Sequence, residues 1–143
     1  MGDGGLTARS VPGADGRYWR GLAEGRLELP RCEGCGRWRW PAVWRCGDCG
    51  SWDHEWLPVA MRGSVFTWTR TWHPFAGTEG IGVPFVTVIV ALDEAPIRLT
   101  GLLDGPDEGM AIGLPLDGAI GETPIAEDRI PSIRWRIRRP EGA

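Results

Sequence analysis

The stretch RCEGCGRWRWPAVWRCGDCGSW, residues 31–52, holds all four cysteines of the chain and four of its nine tryptophans. The cysteines form two Cys-x2-Cys pairs, Cys32/Cys35 and Cys46/Cys49, and a glycine follows each pair. Each pair can bring two sulfurs to one point through a tight turn, and the ten residues between the pairs let the two turns meet. Four thiolates in a tetrahedron favour zinc and leave no coordination position open. The sequence therefore predicts a structural zinc site.

Iron is the main alternative to zinc, since the same four ligands hold iron in rubredoxin-like electron carriers. A visible absorption band would separate the two metals. Disulfide bonds are a weaker alternative. Residues 1–16 have no apolar signal-peptide core, and no apolar run approaches the ~18 residues that span a bilayer, so we expect a cytoplasmic protein with reduced thiols and no membrane contact.

The composition is that of a globular protein, with 42% hydrophobic and 24% charged residues in 143. This length fits one ordinary domain, or a small metal module joined to a compact β domain. The net charge is −3, and four thiolates (−4) with one divalent cation (+2) would bring it to −5. Binding to a phosphate backbone depends on excess basic charge, so this balance argues against nucleic acid as a partner.

The N-terminal part combines a flexible leader with one short helix. Five glycines and a proline in the first sixteen residues predict the leader. Asp15 is a candidate N-cap and Gly25 a candidate stop for an amphipathic helix over residues 16–24. A helix of this length is stable only if its aromatic face packs against something, either the rest of the chain or a partner subunit.

The sequence becomes β-like after the cysteine segment. Strands are predicted at residues 64–72, 84–92, 97–103, 113–116 (a weaker one) and 132–139. Five short strands joined by Gly/Pro turns favour a small Greek-key barrel, with an OB-fold as the first choice. The predicted fold is thus mainly β: a short N-terminal helix and a four-cysteine zinc ribbon, followed by a five-stranded OB-fold barrel. Its predicted segments are a leader (1–15), a docking helix (16–30), the zinc ribbon (31–58) and the OB-fold domain (59–143).

Tryptophan and arginine alternate between the cysteine pairs, at residues 37–40. On one arm of a hairpin with its tip near residues 41–42, this alternation would place both indoles on one face and both guanidinium groups on the other. In one interpretation Trp38, Trp40 and Trp44 form a stacking platform for bases or an adenine ring. In the other, which we favour, a ribbon without a core of its own uses these rings to dock on a neighbour.

The side chains of a catalytic site are sparse in this sequence. The chain has two histidines, one tyrosine, no lysine and no cysteine beyond the four candidate ligands. No nucleophile stands next to a candidate base, and no glycine-rich phosphate loop is present, so we expect no catalysis from this chain alone. The last predicted strand alternates arginine with apolar residues, which gives either a solvated face or a cationic stripe for a ligand.

The order of these motifs resembles a known family. YWRGLAEGRL is followed by CEGCG, an arginine-rich segment with a proline, CGDCGS, HEW, GSVFTWT, PFVTVIVALDE, RLTGLL and GLPL. This order resembles the small zinc-ribbon plus OB-fold proteins, once catalogued as a domain of unknown function, that accompany thiolase-fold enzymes. The resemblance covers about residues 16–139. GLPL stands where relatives often have Gly-Met-Pro-Val, and the ribbon is unusually rich in tryptophan, which suggests a large hydrophobic interface.

The resemblance implies a partner that is an acetyl-CoA thiolase, an enzyme making hydroxymethylglutaryl-CoA, or an aldolase that shortens steroid side chains held as CoA thioesters. The ribbon and the helix would dock on that partner, the barrel would help to shape its acyl-CoA tunnel, and the partner would carry the catalytic residues. The chain would then be an accessory subunit of an acyl-CoA lyase or an acyltransferase. The candidate interface residues are Tyr18, Trp19, Trp38, Trp40 and Trp44. The candidate CoA-binding residues are Arg70, Arg134, Arg136 and Arg138.

Two other classes of function remain open at this point. A single-stranded nucleic-acid-binding module would also combine a zinc ribbon with an OB-fold, and its binding would weaken steeply as salt rises. A rubredoxin-like electron carrier would show the visible absorption of iron.

Overall fold

The computed structural model describes residues 13–139, so most of the predicted leader lies outside the described residues. Within them, no helix is long and apolar enough to cross a membrane. The elements, in chain order, are α1 (Gly16–Ala23), β1 (Glu28–Cys32), β2 (His54–Pro58), β3 (Arg62–Thr71), β4 (Phe85–Leu92), β5 (Arg98–Leu103), β6 (Pro115–Ile125) and β7 (Asp128–Ile137).

Strands β3 to β7 close a barrel in the order β3-β4-β5-β7-β6. All neighbouring pairs are antiparallel except β5 and β7, which are parallel at Leu102↔Arg134 and Leu103↔Trp135. The barrel closes where β3 meets β6, at Gly63↔Leu116. This five-stranded Greek-key barrel confirms the predicted fold class, a zinc ribbon followed by an OB-fold.

The fourth barrel strand is much longer than predicted. The sequence indicates only residues 113–116, whereas β6 runs over Pro115–Ile125 and forms a long hairpin with β7. Strand propensity does not predict β6, because the strand contains two glycines and two prolines, residues that usually mark turns. The hairpin is held instead by cross-strand pairing, including a 2.6 Å hydrogen bond between the Thr123 and Ser132 hydroxyls.

The predicted hairpin between the cysteine pairs is wrong. The ribbon's sheet pairs β1 with β2, the strands that flank the four cysteines, and Cys32 stands opposite His54 in its register. Between the pairs, the described backbone has one isolated bridge, Arg31↔Trp38, and no regular strand. Residues 37–39 instead pair back on β1, because the Cys32 N–H donates to the Arg37 carbonyl at 2.8 Å and the Arg39 N–H donates to the Pro30 carbonyl at 2.9 Å. β1 also spans residues 30 and 31, where the docking helix and the ribbon were separated in the prediction.

Helix α1 ends at the predicted glycine but does not begin with the predicted cap. Gly25 takes a φ of 84°, and the N–H groups of Gly25 and Arg26 donate to the carbonyls of Leu22 and Gly21 at 3.0 and 2.7 Å. Asp15 precedes the helix, but its side chain caps no backbone N–H. Its carboxylate accepts a 3.0 Å hydrogen bond from the indole of Trp19 instead, which fixes the aromatic face of the helix.

One hydrophobic core runs from α1 through β1 into the barrel. Tyr18 and Leu22 of the helix and Leu29 of β1 belong to the same buried cluster as the barrel strands. Trp135 of β7 is its largest fully buried side chain. The helix therefore packs on its own protein, which was one of the two possibilities left open by the sequence.

Candidate metal centre and interaction surfaces

The four cysteine sulfurs converge on one point. The Sγ atoms of Cys32 and Cys49 lie 3.5 Å apart and those of Cys35 and Cys46 lie 3.7 Å apart. All four ligand atoms are within 4.8 Å of one another. A tetrahedral zinc site with Zn–S bonds of about 2.3 Å has sulfur–sulfur edges of about 3.8 Å. The residues therefore fit the structural zinc that the sequence predicts, and no ligand position is left for a substrate.

The two cysteine turns are built in the same way. Cys32 and Cys46 each donate an N–H to the carbonyl five residues ahead, at 2.8 Å in both turns. The glycine that follows each pair donates back to the carbonyl of the first cysteine, at 2.8 Å for Gly36 and 2.9 Å for Gly50. Both glycines have a positive φ, 75° and 78°, which other residues adopt only with strain. The glycines after the pairs are therefore part of the site's geometry.

The thiols of this cluster are not equivalent. The backbone N–H of Cys49 lowers the pKa of Cys46 to about 6, and the backbone N–H of Cys35 lowers the pKa of Cys32. The N–H of Ser51 favours the thiolate of Cys49, but its hydrogen bond with Cys32, together with burial, raises the pKa of Cys49 to about 11. Adjacent thiolates repel one another, and a divalent cation at the centre removes that repulsion.

Two arginines lie beside the cluster on the side of Cys35. Arg39 is hydrogen-bonded to Asp48, its Nη2 lies 4.0 Å from the Cys35 sulfur, and Arg37 donates to the same carboxylate at 3.5 Å. The Nε of Arg39 is buried with no partner among the described residues. A zinc ion with four thiolates carries a net charge of −2, so these guanidinium groups would partly neutralise it. Trp38 and Trp40 pack against the core, whereas Arg37 and Arg39 bind Asp48. The indoles and the guanidinium groups are therefore separated as predicted, although not by a hairpin.

The five candidate interface residues are placed very differently. Tyr18 is buried and packs on Trp40, with ring centroids 4.4 Å apart. Trp19, Trp38 and Trp40 are half-buried against the core. Trp44 is 67% exposed. Their role at an interface stays a prediction, but within this chain only Trp44 of the five leaves most of its ring free.

The ribbon has two further exposed apolar side chains. Trp52 is 68% exposed, with Arg45 stacked 5.8 Å from its ring centroid, and Val43 next to Trp44 is also exposed. We call Val43, Trp44 and Trp52 the ribbon tip. Of these three residues, the sequence analysis predicts only Trp44 at an interface. Tertiary contacts decide which tryptophans of a small module are buried.

Three of the four candidate CoA-binding arginines form ion pairs with aspartates. Arg70 is paired with Asp107 and Arg138 with Asp117, the latter at 2.9 Å. Arg134 donates to Asp104 at 2.6 and 2.9 Å and to Thr123 at 3.2 Å. Arg136 is exposed, with no ion pair among the described residues. The stripe is therefore largely neutralised.

Arg139 is a candidate that sequence reasoning missed. It lines one cavity of about 350 Å³ together with Arg136, Ile137 and the segment 104–106. The predicted strand 132–139 includes Arg139, but alternation assigned it to the face opposite the stripe, whereas β7 already ends at Ile137. The density of arginine in residues 129–139 was the available signal.

The fold and the site define a zinc-ribbon protein with an OB-fold barrel, and comparisons with known proteins place it further. Residues 19–55 match the family described as the rubredoxin-like zinc ribbon domain of ChsH2, and residues 56–120 match the ChsH2 C-terminal OB-fold domain. A "DUF35 domain-containing scaffold protein" of Pyrococcus furiosus is 33% identical over 71% of this chain and 74% of its own length. The chain belongs to this DUF35 family of ChsH2-type proteins.

Three other similarities concern enzymes. A "probable enoyl-CoA hydratase alpha subunit" of Thermomonospora curvata is 29% identical over 78% of this chain, but the chain spans only 34% of that relative. The "benzoylsuccinyl-CoA thiolase subunit BbsA" of Geobacter metallireducens is 23% identical over 76% of this chain and 71% of its own. A solved structure described as "Ltp2-ChsH2(DUF35) aldolase" has a TM-score of 0.77 at 25% identity, covering 90% of this chain and 97% of that one.

Proposed function

We propose that this protein is a non-catalytic accessory subunit that docks on a thiolase-fold enzyme, either a thiolase or an acyl-CoA retro-aldolase. The observation that carries the proposal is the match to the "Ltp2-ChsH2(DUF35) aldolase", which extends over 97% of that chain and includes both modules. The description of that structure pairs a DUF35 chain with a second protein. A thiolase subunit is also among the relatives, at 76% of this chain and 71% of its own length.

In this proposal the zinc ribbon is a rigid docking element. The zinc would be held by Cys32, Cys35, Cys46 and Cys49, and a closed four-thiolate site supplies rigidity rather than reactivity. A rigid ribbon presents the ribbon tip in one fixed geometry, so little conformational entropy is lost when a partner covers its two exposed indoles. Tryptophan is also the residue type most enriched among binding hot spots.

A contribution to an acyl-CoA site is the finer part of the proposal. Relatives are named for enzymes of CoA thioesters, a thiolase and an enoyl-CoA hydratase. Coenzyme A carries several phosphate charges, which guanidinium groups recognise well. The cavity lined by Arg136 and Arg139 is the best place for them, because neither arginine has a carboxylate partner among the described residues. We keep Arg70, Arg134 and Arg138 as weaker candidates, since each would have to leave an aspartate.

The substrate would belong to lipid or steroid side-chain degradation, and the complex would be cytoplasmic. In this proposal the docking helix lies in segment 16–30, the ribbon in 31–58 and the barrel domain in 59–143. The turn between β6 and β7 does not favour the alternative of single-stranded nucleic acid, because Glu122, Glu127 and Asp128 outnumber Arg129 there.

Co-expression with a thiolase-fold enzyme encoded beside this chain tests the docking. We expect a stable hetero-oligomer in size-exclusion chromatography with light scattering. The Trp44→Ser variant should weaken it about tenfold or more, as for an interface hot spot. Ile112→Ser, which removes an equally exposed apolar side chain in the β5–β6 loop, is the matched control and should bind normally. A monomer that binds no such enzyme would refute the proposal.

The acyl-CoA part has its own test. Acetyl-CoA titrated into the complex by calorimetry should bind about tenfold or more weakly when Arg136 and Arg139 are both changed to alanine, because charge-assisted hydrogen bonds are lost. Arg98→Ala, which removes a guanidinium stacked on Phe66, is the control. Equal affinity in all three complexes would contradict this part and leave the docking proposal intact.

A further inference from the structure

The barrel carries a second exposed aromatic surface, far from the ribbon. It lies in the β3–β4 loop, where residues 72–76 are exposed in succession. Trp72 is 67% exposed, Phe75 is 56% exposed and Val83 is exposed as well. We call these three side chains and the β6–β7 turn beside them the barrel-end surface. β3 runs from the ribbon to this surface, and ten strand residues span about 30 Å.

This loop is held in place although its rings face solvent. Thr78 donates its N–H and its hydroxyl to the Phe75 carbonyl at 3.0 and 2.8 Å, and the Ile81 N–H donates to the Thr78 carbonyl at 3.0 Å. The β6–β7 turn also holds the loop, because the Ala126 N–H donates to the Gly77 carbonyl at 2.7 Å. The aromatic side chains therefore stand on an ordered backbone.

The rings themselves are oriented by their neighbours. His73 packs edge-on against Phe75, with ring centroids 4.9 Å apart, and the Arg70 guanidinium lies 6.0 Å from the Trp72 ring centroid. Arg70 is in turn fixed by Asp107. Each ring thus has one neighbour within the chain while more than half of its area is left to solvent, the arrangement expected of an anchor for a partner.

The charges around the rings are mainly negative. The β3–β4 loop contributes Glu79, and the turn end of the β6–β7 hairpin, residues 122–129, contributes Glu122, Glu127 and Asp128 against Arg129. Arg70 beside Trp72 is balanced by its partner Asp107. Glu79, Glu122 and Glu127 are exposed. Four acids against one base give this region a net charge of −3, which disfavours phosphate-rich partners such as nucleic acid or an anionic membrane.

We infer that the barrel-end surface is a second docking site for the partner enzyme, on which an apolar socket rimmed by arginine or lysine would receive Trp72 and Phe75. The inference rests on the proposed function. Charge complementarity supports this occupant, because exposed aromatic rings on a surface with an excess of carboxylates match an apolar pocket rimmed by bases. The β3–β4 loop and the β6–β7 turn are also the loops with which OB-folds bind their ligands.

Two sets of variants test this inference in the co-purified complex. The double variant Trp72→Ser/Phe75→Ser should weaken binding to the thiolase-fold enzyme about tenfold or more. Glu127→Arg should slow association and reduce the loss of affinity on going from low to physiological salt. Ile112→Ser is again the matched control, and circular dichroism with zinc content checks that each variant is folded.

The outcomes separate this inference from the proposed function. If the wild type binds and the double variant binds equally well, the inference is overturned and the proposed function stands. If the wild type binds no thiolase-fold enzyme, the proposed function fails first. Two further results also overturn the inference. One is a homodimer that Trp72→Ser/Phe75→Ser dissolves, which would make a second copy of this chain the occupant. The other is binding of the free chain to anionic vesicles that the same variant abolishes.

Discussion

Tyr18 is a buried side chain whose ionisation can be followed separately by its absorbance. It is the single tyrosine of a chain without lysine, and burial raises its pKa to about 12. Between pH 10 and 12 the folded state keeps the phenol proton that the unfolded state has lost, so stability falls as pH rises through this window. The pKa difference corresponds to about 3 kcal/mol.

We therefore expect the zinc-loaded protein to lose stability between pH 10 and 12 and its tyrosinate absorbance at 295 nm to appear only near pH 12 or on unfolding. Urea denaturation at several alkaline pH values measures the loss. Tyr18→Phe removes the hydroxyl but keeps the ring on Trp40, so its stability should change much less across this range. A tyrosinate signal that rises near pH 10 in the folded protein would contradict the buried position.

Gly101 and Gly118 lie directly against Trp135, the tryptophan buried in the barrel. A Cβ on Gly101 would lie 2.8 Å from two atoms of the Trp135 ring and 2.9 Å from the Ile133 carbonyl, and a Cβ on Gly118 would lie 2.7 Å from Ile133 and 2.9 Å from the same ring. Trp135 is fully buried, so it has no free space to move into.

Gly101→Ala and Gly118→Ala should each destabilise the protein by about 1–3 kcal/mol through overpacking, measured by denaturant unfolding. Gly47→Ala is the control, since a Cβ there meets nothing within 4 Å and its φ is not positive. A loss for Gly47→Ala as large as that for Gly101→Ala would indicate a general effect of the substitution instead.

At the scale of elements, the ribbon depends on its metal. β1 and β2 form a two-stranded sheet, and such a sheet is marginal in water without other support. Cys35→Ser should reduce bound zinc from about one per chain to well below it, and lower the thermal midpoint. Elemental analysis and release to a zinc-sensitive dye measure the first effect, and near-ultraviolet circular dichroism measures the second.

Glu33→Gln, an exposed change between two of the cysteines, should keep both the zinc and the midpoint. The purified protein should also lack the visible absorption of a four-thiolate iron site. Full stability in a metal-free protein would show that the ribbon folds without its cation.

The sequence predicts the cysteine site and most barrel strands because each has a local signal. Two Cys-x2-Cys turns with glycines, or a run such as residues 84–92, contain their own pattern. β6 and the β1–β2 sheet have no such local signal. Their pairing depends on strands that are distant in the sequence. The candidate arginines show the same limit: alternation identifies the stripe, but the aspartates that neutralise it come from the β5–β6 loop and from β6.

The whole molecule is joined by one core, and this determines how it should unfold. Tyr18, Leu22 and Leu29 share a buried cluster with Val65, Leu99 and the other barrel residues. The Val59 N–H donates to the Leu27 carbonyl at 3.0 Å, where the ribbon leads into the barrel. Helix, ribbon and barrel should therefore lose their structure together, although they differ in architecture.

Leu22→Ala tests this cooperativity, because Leu22 is only 1% exposed and lies in the helix, outside both the metal site and the barrel. We expect a loss of about 2–5 kcal/mol, with zinc release and tryptophan fluorescence shifting to the same lower denaturant midpoint. Leu22→Met, which nearly conserves volume, should cost less than about 1.5 kcal/mol. If zinc stays bound while the fluorescence transition moves, the ribbon folds independently of the barrel. The ribbon tip and the barrel-end surface would then be joined by a flexible connection rather than held in one rigid body.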